Sequence, residues 1–308
     1  MAYSFVAFGE VLWDLLPSGR VLGGAPFNFA CRVASVGDRG VMISRVGEDD
    51  LGREALEVMG TLGMETACIQ RDGRRPTGTV PVSLDAAGVP VFTIIPNVAY
   101  DFIEPTVEAL AAVAGADCFC FGTLAQRGPV SAATLGRLLG SFRGTVRLLD
   151  LNLRRDCWTP ASIRSSIDRA DVLKLNDGEA ATIAPLYGLE ALPLAELPRA
   201  LFERTRLSHV VVTLGPGGAF AVARAGDAAY DRAHAVTIVD TVGSGDAFTA
   251  GFAHGLLAGW PLERSIRYGN ALGACVAMQR GATAPVVLAD VERLLREDRR
   301  LAPDPRFA

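Results

Sequence analysis

Asp240-Thr241-Val242-Gly243-Ser244-Gly245-Asp246-Ala247-Phe248 is the stretch on which the reading of this chain turns. A β-branched run, Val236-Thr237-Ile238-Val239, precedes it, and an apolar, helix-like run from Ala247 to Ala258 follows. This pattern predicts a strand-to-helix turn with Gly243 and Gly245 at the bend, where the missing Cβ permits positive φ and close approach of a ligand. The glycine N–H groups and the first free N–H groups of the helix then converge on one spot, an anion hole reinforced by the helix dipole. Asp246 is the odd residue there. A carboxylate beside an anion site repels a resting phosphate, but it makes sense as a base that takes a proton from an attacking hydroxyl. The competing reading is a glycine turn with an acid favourably placed in a helix's first turn.

Composition narrows the choice. The 308 residues are 50% hydrophobic, enough for one large core, or a core plus a small appendage. A net charge of -4 spread along the sequence argues against nucleic acid as a partner. No apolar run reaches the ~18 residues needed to span a bilayer, and the opening Met-Ala-Tyr-Ser lacks the basic region of a signal peptide. The expected location is the cytoplasm, with no membrane partner. Cys31, Cys68, Cys118, Cys120, Cys157 and Cys275 sit mostly in apolar segments without metal-ligand spacing and read as small buried hydrophobes in a reducing compartment. Lys174 is the only lysine, so a Walker-type loop, which needs a lysine after its glycines, is absent. Any phosphate must be held by backbone amides, arginines and a metal. His209, His234 and His254 are scattered and give little support to a histidine-metal site or a Ser-His-Asp hydrolase.

Earlier in the chain, Phe5 to Gly9 reads as a short buried strand, and Glu10 to Leu16 continues extended to a turn at Pro17-Ser18-Gly19. Asp14 interrupts that apolar run, either as the polar face of an exposed strand or as a group aimed at a ligand. Gly23-Gly24-Ala25-Pro26 follows; Pro26 suits a first helical position and puts Asn28 on the first turn of an apolar helix. Glycines beside an asparagine suit a polyol, and an incidental helix start is the bland alternative. Thr79–Leu84 and Val89–Ile95 flank Asp85-Ala86-Ala87-Gly88, a hairpin signature. Pro81 and Pro90 push both strands toward edge or exposed positions, and Val80, Val82, Val91 and Ile95 are expected on an exposed outer face. Such a pair resembles a flap, to which residues Val11 to Leu22 could add strands. From Pro105 onward strands and helices alternate regularly, which implies a parallel sheet with helices on both faces. In such sheets ligands bind beyond the carboxyl ends of the strands. Asp150, Asn152 and Arg154, then Asn176 and Glu179, then Thr213, Gly215, Gly217 and Gly218, and finally Asp246 all fall after predicted strands.

The two glycine motifs, Gly23-Gly24-Ala25-Pro26-Phe27-Asn28-Phe29-Ala30 and Asp240 to Phe248, resemble those of the ribokinase-like (PfkB-type) carbohydrate kinases. Asp150-Leu151-Asn152-Leu153-Arg154 and Lys174-Leu175-Asn176-Asp177-Gly178-Glu179 lie between them at family-like positions. The resemblance covers nearly the whole chain and is closest to the fructokinase branch, through Gly9-Glu10 with Asp14 and the Asn152/Arg154 segment. It implies one α/β domain over residues 1–308: a central, mostly parallel sheet flanked by helices on both faces, with a small β-sheet lid from about 11–22 and 77–100. It implies Asp246 as the base for a sugar hydroxyl and Gly243, Ser244 and Gly245 as the anion hole for the transferring phosphoryl. Asp14, Gly24, Asn28 and Arg154 would bind the sugar. Thr213, Gly215, Gly218 and Asn270 would border the nucleotide, and Asn176 and Glu179 would organise Mg²⁺ and phosphates, largely through water. Asp240 and Val242 would border a monovalent-cation site whose second loop, about Met278 to Pro285, departs from the family pattern and leaves K⁺ dependence open.

The expected reaction is transfer of the γ-phosphoryl of ATP to a sugar hydroxyl, fructose first, with ribose, a nucleoside or 2-keto-3-deoxygluconate as alternatives. A homodimer through the lid is expected, because an exposed apolar sheet face usually finds a partner. Two other classes compete. A nicotinamide-dependent oxidoreductase would need a glycine where Phe248 stands, and would place Asp246 against a pyrophosphate. A sugar-binding regulator without catalysis has no use for an intact Asp246.

Overall fold

The computed structural model of the chain describes residues 2–16, 19–84, 90–297 and 299–307. Strands β1 (Ser4–Phe8), β2 (Leu12–Leu16) and β3 (Gly19–Gly23) lead into helix α1 (Ala25–Ser35). Next come β4 (Arg39–Gly47), α2 (Asp50–Thr61), β5 (Ile69–Asp72), β6 (Gly78–Leu84) and β7 (Pro90–Phe92). The alternating section comprises α3 (Val107–Ala114), β8 (Cys118–Phe121), α4 (Pro129–Ser141), β9 (Val146–Asp150), α5 (Pro160–Ile167), β10 (Val172–Asn176), α6 (Asp177–Ile183), α7 (Leu197–Phe202) and β11 (His209–Thr213). The chain ends with β12 (Ala219–Ala223), β13 (Ala228–Asp231), α8 (Ser244–Leu257), α9 (Leu262–Ala277) and α10 (Leu288–Glu297).

The main sheet has the order β13-β12-β11-β10-β9-β8-β1-β4-β5. From β11 to β5 all neighbours are parallel, and only the β11–β12 and β12–β13 pairs are antiparallel, so β12 alone is reversed. Side-chain alternation along the strands sorts the core into two layers. In β1, Phe5 and Ala7 join the layer under α1, α2, α8, α9 and α10, through residues such as Phe29, Met59, Phe252, Leu272 and Val291. Val6 and Phe8 join the other layer, under α3 to α7, with Leu138, Ile167, Ile183 and Leu201. Helices therefore cover both faces, as the strand–helix rhythm requires, and the loops after β9, β10 and β11 emerge along one edge.

The lid is a separate sheet of order β3-β2-β6-β7, with β2 parallel to β6 and the other pairs antiparallel. Two expectations need correction here. β6 is an interior strand, not an edge: its pairing with β2 ends at Leu15↔Pro81, and its pairing with β7 begins at Val82↔Phe92. Pro81, which has no N–H to give, sits where the strand changes partner. Val80 is also not on an exposed face; it is only 4% exposed and joins the main core, and half-buried Ile95 packs against the same layer. The turns expected at Pro17-Ser18 and Asp85-Ala86-Ala87-Gly88 lie outside the described residues, and so do the side chains of Val82 and Val91.

A third correction concerns the run before the glycine motif. Val236-Thr237-Ile238-Val239 is not a strand; it is a loop, with Ile238 57% and Val239 54% exposed. β-Branched residues suit any surface where a stiff apolar side chain is wanted, and here Val236 and Ile238 line a cleft instead of pairing in the sheet. Asp246 therefore follows a loop, not a fourth strand.

Candidate active site

α8 begins at Gly243, whose φ of 79° is left-handed, and no side chain caps the helix. A Cβ on Gly243 would lie 2.4 Å from Cβ of Ala282, so both conformation and space require glycine. Ser244 N donates to Thr241 O and Ala247 N to Gly243 O, the latter being the first bond of the helix proper. The N–H groups of Gly245 and Asp246 fall inside the first turn, where helical geometry offers no acceptor. The Ser244 hydroxyl is buried without a hydrogen-bond partner among the described residues. Uncapped donors at a helix N-terminus are an arrangement suited to an anion.

Asp246 stands on the same turn and accepts a hydrogen bond from Asn28 Nδ2 at 2.8 Å. This bond joins the two glycine motifs across 218 residues of sequence. Burial raises the Asp246 carboxyl to about 6, with Asp150 pushing the same way and Lys174, the Asn28 bond and Arg154 opposing. A base titrating just below neutrality is matched to proton transfer at physiological pH. The other residues expected to bind the sugar gather here. Gly24 has φ of 116° and a Cβ there would meet Glu10 O at 2.4 Å, while a Cβ on Gly23 would touch Asp14 Oδ2 at 3.1 Å. Burial raises Asp14, with Arg154 opposing. Asn28 Oδ1 is buried with no hydrogen-bond partner among the described residues, an acceptor left for a ligand hydroxyl.

Glu10 belongs to this group, although as a residue of β1's exit it received no role from sequence. It is 4% exposed, accepts from Ala25 N at 3.3 Å, and is pushed by burial to about 7, against the pull of its backbone hydrogen bonds and Arg154. Arg154 is exposed, yet its charge reaches Glu10, Asp14 and Asp246 alike.

On the other side of Gly245 lies a cleft of about 360 Å³. It brings together Asn176, Thr213, Gly215, Gly218, Ser244, Gly245 and Asn270, all singled out from sequence. Its walls also include Val236, Ile238, Phe248, Ala274 and Leu301, none of which was expected to bind a ligand. Mostly apolar walls with a few fixed polar groups are the usual make-up of a small-molecule pocket. Gly218 (φ 93°) leaves room for Asp231 O, and Asn270 Nδ2 is held by Asp231, 2.8 Å from its Oδ2.

Asn176 and Glu179 form a reciprocal capping box that starts α6: Glu179 N donates to Asn176 Oδ1 and Asn176 N to Glu179 Oε2. Glu179 Oε1 also accepts from Leu153 N at 2.7 Å, tying α6 to the loop after β9. Its pKa is raised by burial, with Lys174 opposing. Among the described residues no three His, Cys, Asp or Glu side chains cluster closely enough to hold a metal alone. Hard oxygen donors with few protein ligands suit Mg²⁺, which keeps most of its water and binds phosphate oxygens.

Asp240 staples two loops, accepting Val242 N at Oδ1 and Gly281 N at Oδ2, both at 3.0 Å. Val242 itself is exposed. The fully buried Arg32 completes this corner by donating Nε and Nη2 to Ala282 O, the residue that packs on Gly243. Its only sequence signal was a charge inside an apolar helix.

With this geometry in place, comparison with known proteins is direct. Residues 18–288 match the family model described as pfkB family carbohydrate kinase. A fructokinase of Klebsiella pneumoniae is 33% identical over 307 residues, covering 93% of this chain and 97% of that protein. A 2-dehydro-3-deoxygalactonokinase of Haloferax volcanii is 29% identical, covering 96% of this chain and 98% of that one. The crystal structure of a fructokinase from Xylella fastidiosa with bound ATP superposes with a TM-score of 0.86 at 22% identity, covering 97% of this chain and 99% of that one. A nine-strand sheet with a four-strand lid, an uncapped helix N-terminus carrying an aspartate, and a family match across most of its length place this chain in the pfkB family of carbohydrate kinases.

Proposed function

We propose that this sugar kinase transfers the γ-phosphoryl of ATP to a hydroxyl of a neutral ketose, fructose first, with Asp246 as the base. The observation that carries the reading is the position of Asp246. It stands on the uncapped first turn of α8, hydrogen-bonded to Asn28, with the 360 Å³ cleft on one side and Glu10, Asp14 and Arg154 on the other. ATP lies in the cleft against Thr213, Gly215, Gly218 and Asn270, and its phosphates reach the N–H groups behind Gly243, Ser244 and Gly245. The sugar lies against Asp14, Gly24, Asn28 and Arg154. The hydroxyl oxygen attacks the γ-phosphorus, the bond to the ADP oxygen breaks, and the hydroxyl proton passes to Asp246. Most of the catalytic gain in such a transfer comes from positioning and charge stabilisation.

Mg²⁺, when bound, would offset phosphate charge, and Asn176 and Glu179 are the residues that would hold it. Asp240 and Val242 border a monovalent-cation site. Three carboxyl groups against one guanidinium on the sugar side favour a neutral polyol over a sugar acid. The Haloferax relative, named for a sugar acid, keeps the second reading open, with Arg154 as the partner of the sugar carboxylate. A lid-to-lid homodimer completes the reading; light scattering at micromolar concentration tests it, and a monomer rejects it. Among the described residues no helix is long and apolar enough to cross a membrane.

The deciding experiment is ATP turnover across fructose, ribose, 2-keto-3-deoxygluconate and a nucleoside, scored by kcat/KM. Fructose leading the panel supports the reading. A sugar acid leading it transfers the assignment to the second.

A further inference from the structure

The reaction as written leaves one buried ion pair without a task. Lys174, the chain's only lysine, lies in the interior strand β10 and is 7% exposed. Its Nζ stands 3.1 and 3.2 Å from the two carboxylate oxygens of Asp150, at the end of β9. Asp150 Oδ2 also accepts from Thr249 Oγ1 at 2.9 Å, and that hydroxyl is 2.8 Å from Gly245 O, one turn back on α8. A Cβ on Gly245 would lie 3.3 Å from Lys174 Nζ, so the ammonium sits directly beneath the glycine turn.

Stability is a poor reason for this arrangement. Buried ion pairs lose much hydration, and an apolar pair of similar volume often serves as well or better. Charge balance is a better one. Asp150, Glu179 and Asp246 all act on Lys174, and a phosphoryl group arriving at the turn adds more negative charge beside them. The Asp150 carboxylate pairs with the ammonium through both oxygens and holds it in place under the turn.

We propose that Lys174 is a positioning residue for phosphoryl transfer: clamped by Asp150, its ammonium underlies the anion hole and offsets the charge on the transferring group. Through Thr249, the same clamp fixes the first turn of α8 in register with it. This rests on the kinase reading of Asp246. Glycine at 245 fits the role, since any side chain there would crowd the ammonium and separate it from the phosphoryl.

The test is a set of variants with kcat and both KM values measured well below each variant's own thermal midpoint. Lys174→Met should lower kcat by about 10²–10³, the usual loss for one preorganised charge-stabilising donor, with sugar KM within about threefold. Because it leaves Asp150 buried and unpaired, the decisive variant is Lys174→Met/Asp150→Leu, which removes both charges at similar volume. A brace for the fold predicts that this double variant recovers turnover; the proposal predicts that kcat stays at least about thirtyfold low. Thr249→Val keeps both charges and should cost about tenfold in kcat with both KM values unchanged. Wild-type turnover in the double variant or in Lys174→Met overturns the proposal. Asp246→Asn is the control that separates the two claims: if it turns over normally the kinase mechanism itself fails, whereas a dead Asp246→Asn beside an active Lys174→Met removes only the role of Lys174.

Discussion

On one side of Gly245 the cleft is walled by Val236, Ile238, Phe248 and Ala274 and by backbone at Gly215 and Gly218. On the other, Glu10, Asp14, Asp246 and Arg154 crowd a site in which burial has lifted all three carboxyl groups. The first half recognises shape with stiff side chains and peptide groups, whose properties do not change with pH. The second half works with groups poised to exchange protons. On the proposed reading, chemistry depends on single side chains around Asp246, while nucleotide affinity is distributed over many small contacts in the cleft.

The largest effect should come from Asp246→Asn, which keeps size and loses the base. Turnover should fall by about 10²–10⁴, with ATP and sugar still binding by calorimetry. The same residue fixes the pH profile. A base must be ionised, so kcat/KM of the unaltered enzyme should drop about tenfold per pH unit below about 6, the level to which burial raises Asp246. Turnover that is flat from pH 5 to 8 would break the contrast between the halves.

Asp14→Ala should raise sugar KM about ten- to a hundredfold, the worth of a charged hydrogen bond to a hydroxyl, and leave ATP KM unchanged. An equal rise in both would mean that the halves are not separable. Ile238→Ser should do the reverse on a smaller scale. Losing part of an apolar wall is worth roughly 1 kcal/mol, so ATP KM should rise a few-fold with kcat and sugar KM intact.

The smallest effect concerns stability. Glu10 has a folded-state pKa of about 7 against an ordinary 4.5. The folded protein therefore binds the extra proton between those values, and its stability falls as pH rises through that window and levels off above it. Glu10→Gln cannot ionise, so its thermal midpoint should exceed that of the parent at pH 8 by about 2–5 °C and match it near pH 4.5. No difference at pH 8 would mean that Glu10 is solvated in the folded state.

Sequence reading reached the two glycine motifs and the parallel sheet because each is a local rule with a local signal: missing Cβ atoms and a strand–helix rhythm. It failed where the same local signal serves two ends. Val236 to Val239 has strand propensity but lines the cleft. Pro81 reads as an edge residue but marks a change of partner inside the lid. Lys174 counted only as a lysine missing from a phosphate loop, since nothing in β10 announces that Gly245 will pack above it. Arg32 and Glu10 gain their meaning from Ala282 and from Gly24 and Arg154, partners that only the tertiary fold supplies.

The contact between Gly243 and Ala282 ties the glycine turn to a loop about forty residues further on. A methyl group is all that position 282 can present to the turn, because a Cβ on Gly243 would already collide with it. Beside the tied residues Gly281 and Ala282, Arg280 is exposed and Thr283 half-buried. Residues 243 and 282 should change together or not at all across descendants of this chain, and an engineer who wants a switch on this enzyme has a ready handle in whatever pulls Ala282 away from Arg32.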